Sequence, residues 1–323
     1  MTGSSGERID ILVRARRVVS ADIGLDGPGG VAVRGERIVA VGPGVETLAQ
    51  RAGRVIDLGD EVLLPGLVDL HAHPDRRPEG SKYGVDPDVE FLRRGSTTVL
   101  SQGDAGARDW QAWAETTLQP SRTRIRMALN LSARGEAMPG PALESADVDV
   151  EACARVVAAN RDWIWGIAVN TSRPVTGSND PRTVLEQAIQ AAAPAGVPLL
   201  FGSRRERDVS LDEQLALLRP RDVVTYCYSG TPENILLDGT DRVRDSVRSA
   251  RERGVLFDIG HGMASLDFRI AEAALADGFP PDTISTDQYR RHVASVPQHD
   301  LPRTISKLIA AGMPEGEIGR AHV

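Results

Sequence analysis

A chain of 323 residues can bury the core of one large α/β barrel or of two modest domains. Its residues are 41% hydrophobic and 26% charged, a soluble globular balance, and the net charge of −7 arises from interleaved acids and bases, which excludes the basic stripe of a nucleic-acid binder. Two cysteines, Cys153 and Cys227, exclude a disulfide framework, and the lack of a long apolar run excludes a membrane partner.

The start, MTGSSGERID, is polar and lacks the apolar stretch of a signal peptide, so the cytoplasm is the expected compartment. ILVRARRVVS, VAVRGERIVAVG and RVIDLGDEVLLPG follow, rich in Val and Ile with alternating polar positions and Gly, Pro or Asp between them. They predict a small, half-exposed antiparallel β-domain over residues 1–63.

After Pro65 the rhythm becomes strand, loop, helix. Eight apolar runs (GLVDLHAH, STTVLSQGD, RIRMALNLS, WIWGIAVN, VPLLFGS, DVVTYCYS, GVLFDIGHG and DTISTDQY) alternate with helical stretches such as VEACARVVAAN and PRTVLEQAIQAAAPAG. This alternation predicts an α/β fold, a (β/α)8 TIM barrel over residues 64–316. Its strands should end near His73, Asp104, Ser132, Asn170, Gly202, Tyr228, Gly260 and Asp287. No Gly-rich fingerprint follows any strand, which argues against an open doubly wound sheet.

Barrel chemistry sits at the C-terminal strand ends. His71 and His73 lie at the first such end, and strand alternation points both the same way. A lone pair of this kind is usually incidental, but here it follows a small β-domain and precedes seven more strand–helix units.

On VLLPGLVDLHAH, GSTTVLSQGDAG, RGVLFDIGHG and PDTISTD the chain resembles the amidohydrolase superfamily, in its dihydroorotase-like and deacetylase-like branch. The resemblance covers nearly the whole chain. It implies hydrolysis of amide or ester bonds with one or two divalent metals in the barrel mouth. The implied ligands are two first-strand histidines, a carboxylated lysine on the fourth strand, histidines on the fifth and sixth, and an aspartate on the eighth. His71, His73 and Asp287 match, and the resemblance gives Asp287 the proton of the attacking water as well. Ala168, Gly202 and Tyr226 stand where the lysine and the other two histidines belong. One metal at most is therefore implied. Two nitrogens, one carboxylate and an open position suit a catalytic zinc, and ferrous iron or manganese fits the same donors.

Strand parity assigns further residues to the mouth: Asn170, Gln102 with Asp104, Tyr289, and His261 at the seventh strand end. By the same parity Arg204 would anchor a substrate carboxylate and Tyr226 would donate to a developing oxyanion. For these two the alternative stays open that SRRER is a solvated loop and the tyrosines fill space left by absent ligands. Arg290, Arg291 and His292 are expected at the surface.

Superfamily members continue with strands that return to the small sheet. Here Glu317–Val323 reads like translated sequencing adapter, so residues 317–323 are expected to be a non-native tail on a truncated chain. Two functions remain open. One is a hydrolase cleaving a non-peptide C–N bond (amide, N-acyl or cyclic amide) or an ester of a small anionic molecule. The other is a metal-free relative that binds or regulates, and under either reading the chain is a possible homo-oligomer. Three surviving ligands able to form one site favour the enzyme over decay, and a lyase or isomerase on the same residues is a third reading.

Overall fold

The computed structural model describes residues 8–77, 82–136, 142–143 and 147–320. His322 and the rest of 321–323 lie outside the described residues, while Glu315–Arg320 forms a short helix. The chain divides into two compact units at Gly66/Leu67.

In the first unit β1 (Ile9–Ser20) pairs antiparallel with β2 (Leu25–Arg34), which pairs antiparallel with β3 (Arg37–Gly42). β4 (Ala52–Asp57) and β5 (Val62–Leu63) run parallel to β1, so the sheet is mixed and not wholly antiparallel as expected. The cause is the connection after β3. The turn of helix Val45–Arg51 carries the chain across the sheet, and Val45 packs there with Ile9, Leu12 and Ala32.

In the second unit seven parallel strands lie in chain order: β6 (Leu67–Ala72), β7 (Ser96–Gln102), β8 (Arg124–Asn130), β9 (Ile164–Asn170), β10 (Leu199–Gly202), β11 (Val223–Thr225) and β12 (Leu256–Phe257). Helices between them start on short polar caps. Asp149, Asp180, Asp267 and Asp300 each accept a first-turn N–H, and Ser210 forms a capping box with Glu213. The helix Pro181–Ala192 turns Val184, Leu185 and Ala188 into the core that also holds Ile167, Val169, Leu199 and Phe201. Small and branched side chains, Ala128, Ala168, Leu200 and Val223, pack the other face of the strands.

The eighth position is not a regular strand. Residues 283–288 bridge Asp258 through Thr283 on one side and Ala72 through Gln288 on the other. His261 N donates to Ser285 O at 3.2 Å and Asp287 N to His71 O at 2.7 Å, so this segment closes the (β/α)8 ring. Asp287 has φ 48°, a left-handed conformation that breaks the pleat. Tyr226, at φ 65°, likewise ends β11 at Thr225, short of the expected Tyr228, and β12 stops at Phe257, short of Gly260.

Candidate metal centre

His71 lies on β6, His73 just beyond its end, and Asp287 on the closing segment, pinned to β6 by its N–H on the His71 carbonyl. All three side chains are buried. His71 Nε2 is 3.4 Å and His73 Nε2 3.2 Å from Asp287 Oδ1, and one ligand atom from each residue lies within 4.8 Å of the others.

The hydrogen bonds behind the imidazoles fix which nitrogen faces inward. Thr225 Oγ1 spends its only proton on Asp258 Oδ2 at 2.8 Å, so it must accept from His71 Nδ1, also 2.8 Å away. His73 Nδ1 donates to Asp104 Oδ1 at 2.9 Å, and Ser101 Oγ holds the other oxygen of that carboxylate at 2.6 Å. Both Nε2 atoms therefore converge on a carboxylate, each with a lone pair facing it when its imidazole is neutral. Electron-pair donors aimed at one another need a cation between them, and a carboxylate behind His73, with another reached through the Thr225 hydroxyl behind His71, is the kind of support that metal-binding histidines use. The donor set fits one divalent ion.

Protons show the same demand. Burial disfavours the His73 imidazolium, yet the Asp104 carboxylate outweighs burial and, with Asp287, raises the His73 pKa to about 10. Burial also opposes the Asp287 charge, but His71 and His73 hold its carboxyl well below the usual range.

Tyr226 is brought to the trio, its Oη 3.3 Å from His71 Nε2. Burial, followed by the Asp287 charge, holds its phenol well above the ordinary range, so the hydroxyl keeps its proton. Tyr289 flanks the site with its ring 6.0 Å from His73, and Tyr83, which sequence reasoning missed, packs on the same imidazole at 5.1 Å. Asn170 lines the mouth beside Gly202, its Oδ1 accepting from Ser172 N at 2.9 Å. Gln102 is buried at the end of β7, where no hydrogen bond joins it to the trio among the described residues.

Two more expected site residues do not join. Arg204 turns outward: its Nε reaches Asp208 Oδ1 at 2.9 Å and its Nη1 the Thr176 hydroxyl at 3.2 Å. Strand alternation stops with β10 at Gly202, so parity no longer holds two residues later. His261 turns toward the helix Leu301–Ala310, its Nε2 2.6 Å from Lys307 Nζ and its Nδ1 2.6 Å from Gly262 O. Burial lowers its pKa to about 4. His292 is buried, not at the surface, stacked 3.9 Å from the His299 ring.

Sequence reasoning also missed the supports. Asp69 precedes His71 and His73 at the same parity and takes the Thr286 hydroxyl at 2.6 Å. Asp258, in FDIGHG, is two positions before Gly260 and collects hydroxyls from Thr225, Thr283 and Ser285. Glu136 carried no sequence signal. Its carboxyl, pushed up by burial and partly offset by the His73 charge, meets Asn130 Nδ2 at 3.4 Å.

No family model matches the chain. Over 298 residues it is 34% identical to a deacetylase of Agrobacterium fabrum, spanning 91% of this chain and 70% of that protein. A solved structure described as a dihydroorotase superposes with TM-score 0.82 at 31% identity, covering 97% of this chain and 81% of its own. Another, described as an adenine deaminase, gives TM-score 0.82 at 30% identity over 96% and 81%. With the barrel, its small β-domain and the His71–His73–Asp287 group already in place, these likenesses show that the chain belongs to the amidohydrolase superfamily, hydrolases of carbon–nitrogen bonds other than peptide bonds.

Proposed function

We propose that the chain hydrolyses a non-peptide C–N bond (amide, N-acyl or cyclic amide) or an ester of a small anionic molecule in the cytoplasm, using one divalent metal held by His71, His73 and Asp287. Zinc is the first expectation, and iron or manganese fits the same donors. The observation that carries the reading is the convergence of both Nε2 atoms on Asp287 Oδ1 at 3.4 and 3.2 Å. A divalent ion so held acidifies a bound water and polarises a carbonyl.

The chain's own residues supply the rest. Asp287 stays ionised and is the group able to take a proton from the attacking water and return it to the leaving nitrogen. Tyr226 keeps its proton and donates from Oη to the oxyanion that develops beside His71. Tyr83 and Tyr289 set their rings against His73 and position it from that side. Asp287 and Tyr226 are two of the four non-glycine residues with positive φ among the described residues, strain that the surrounding hydrogen bonds hold at the site.

Elemental analysis of the purified protein should give one metal per chain. Acetate or amine release from a panel of N-acyl compounds should vanish with a chelator and return with zinc. No metal, or two tightly held metals, would overturn the reading.

A further inference from the structure

After β10 the chain reads SRRER, and its two adjacent arginines have opposite fates. Arg204 is only 4% exposed and its donors are spent. Asp208 takes Nε at 2.9 Å and Nη2 at 2.5 Å, Thr171 O and Thr176 Oγ1 take Nη1, and Glu206 lies 3.2 Å from Nε. It braces the loop.

Arg205 lies 4.3 Å over the Tyr226 ring, and among the described residues no carboxylate, carbonyl or hydroxyl takes any of its N–H groups. Its Nε is buried without a hydrogen-bond partner. The acids of its own loop, Glu206 and Asp208, face Arg204 instead. The ring on which Arg205 rests carries the hydroxyl that stands 3.3 Å from His71 Nε2. A guanidinium therefore lies over the ring of a tyrosine at the candidate centre, with no protein acceptor on its N–H groups among the described residues. That Nε is one of nine buried side-chain polar atoms without a partner among the described residues, and it is the one set over the Tyr226 ring, where an acceptor can arrive with a ligand. The guanidinium keeps its charge at every working pH, and its planar fork matches a carboxylate.

We propose that Arg205, and not Arg204, is the specificity residue of this site, receiving a carboxylate of the substrate while the scissile acyl group lies at His71, His73 and Asp287. The substrate class is thereby an N-acyl or O-acyl compound with a carboxylate near the cleaved bond. This rests on the hydrolytic reading above, and the test separates the two.

The probes are N-acetylglycine and its neutral counterpart N-acetylglycinamide, titrated into zinc-loaded protein with binding followed by NMR. The parent should bind the acid at least about tenfold more tightly than the amide, the scale of one charged hydrogen bond. Arg205→Gln should abolish that preference, and Arg205→Lys should keep only part of it because the charge stays and the fork is lost. Tyr226→Phe, which keeps the ring under Arg205, should retain it. Thermal melts of each variant check that it is folded. If the parent shows no preference, if neither probe binds, or if the preference survives in Arg205→Gln, the guanidinium merely caps the ring and the proposal falls. Acetate release in the same samples bears only on hydrolysis. Preference without release sinks the hydrolytic reading and leaves Arg205 standing, whereas release without preference does the reverse.

Discussion

The two sides of the barrel mouth are built on opposite principles. Around β6, β7 and the closing segment, buried ionisable side chains have partners behind them: Thr225 and Asp258 for His71, Asp104 for His73, Thr286 for Asp69. Around β9 to β11, Ala168 and Gly202 offer no donor at all, and Tyr226 offers a neutral one. The second side has not been left hollow. A Cβ at Gly202 would sit 2.9 Å from Asn170 Cγ and 3.2 Å from Tyr226 Cε2, so neighbours occupy the space an imidazole would need. The contrast teaches that one side of a barrel mouth can be filled by uncharged groups and stay packed while the other side holds its ligating side chains on supports of their own.

Removing a retained ligand should have the largest effect. Asp287→Ala takes away the carboxylate on which both imidazoles converge, and stoichiometric metal should be lost with hydrolysis. Elemental analysis showing a full metal equivalent in this variant would dissolve the distinction between the two sides.

Asp104→Asn tests the support and not the ligand. Losing the carboxylate behind a metal-binding histidine typically costs about 10–100-fold in metal affinity, and chelator competition should show a weakening of that order. Asn170→Ala, on the other side, should change the same affinity by less than about twofold. Equal effects would mean the mouth is one network after all.

Restoring an imaginary ligand should fail. Gly202→His must push Asn170 or Tyr226 aside and should destabilise the fold by about 1–3 kcal/mol in urea unfolding, the usual cost of overpacking. It should bind no second metal, and a second equivalent would show that the vacated half is still poised for one.

A pH limb away from the mouth is the smallest expected effect. Burial works against the Asp88 charge, but hydrogen bonds from the Thr123 hydroxyl and N–H and from Arg122 N, with Arg76, hold its pKa down to about 2. The folded value lies below the unfolded one, so this contribution is present above about pH 4 and is lost as pH falls through about 2. Asp88→Asn should flatten that limb in acid unfolding and leave bound metal at neutral pH unchanged.

Much of the molecule was legible before any coordinate. Eight short apolar runs between helical stretches predicted the barrel strands, and seven of them are parallel strands in chain order, because a strand buried on both faces must be apolar and a crossover needs a helix. His71 and His73 were legible because alternation within a strand is rigid, and Asp287 through the superfamily resemblance. Alternation fails where strands end. Arg204 and Tyr228 were placed by counting past Gly202 and Thr225, beyond which the pleat no longer governs direction, and Tyr228 in fact donates to Phe279 O at 2.7 Å.

The sequence by itself determined the strand-and-helix rhythm of the barrel and the shared face of His71 and His73, since local period and residue type suffice for these. Asp287 and the reading of Ala168, Gly202 and Tyr226 as replaced ligands came instead from the superfamily resemblance. Only the tertiary structure decided which groups stand behind the imidazoles. Thr225 is 154 positions from His71, and the Asp69–Thr286 pair is 217 apart. It also decided which of two adjacent arginines is free, because Asp208 can satisfy one guanidinium and the Tyr226 ring gives the other a surface without an acceptor. Local pattern specifies where a side chain starts. What it meets depends on elements that only the closed ring brings together.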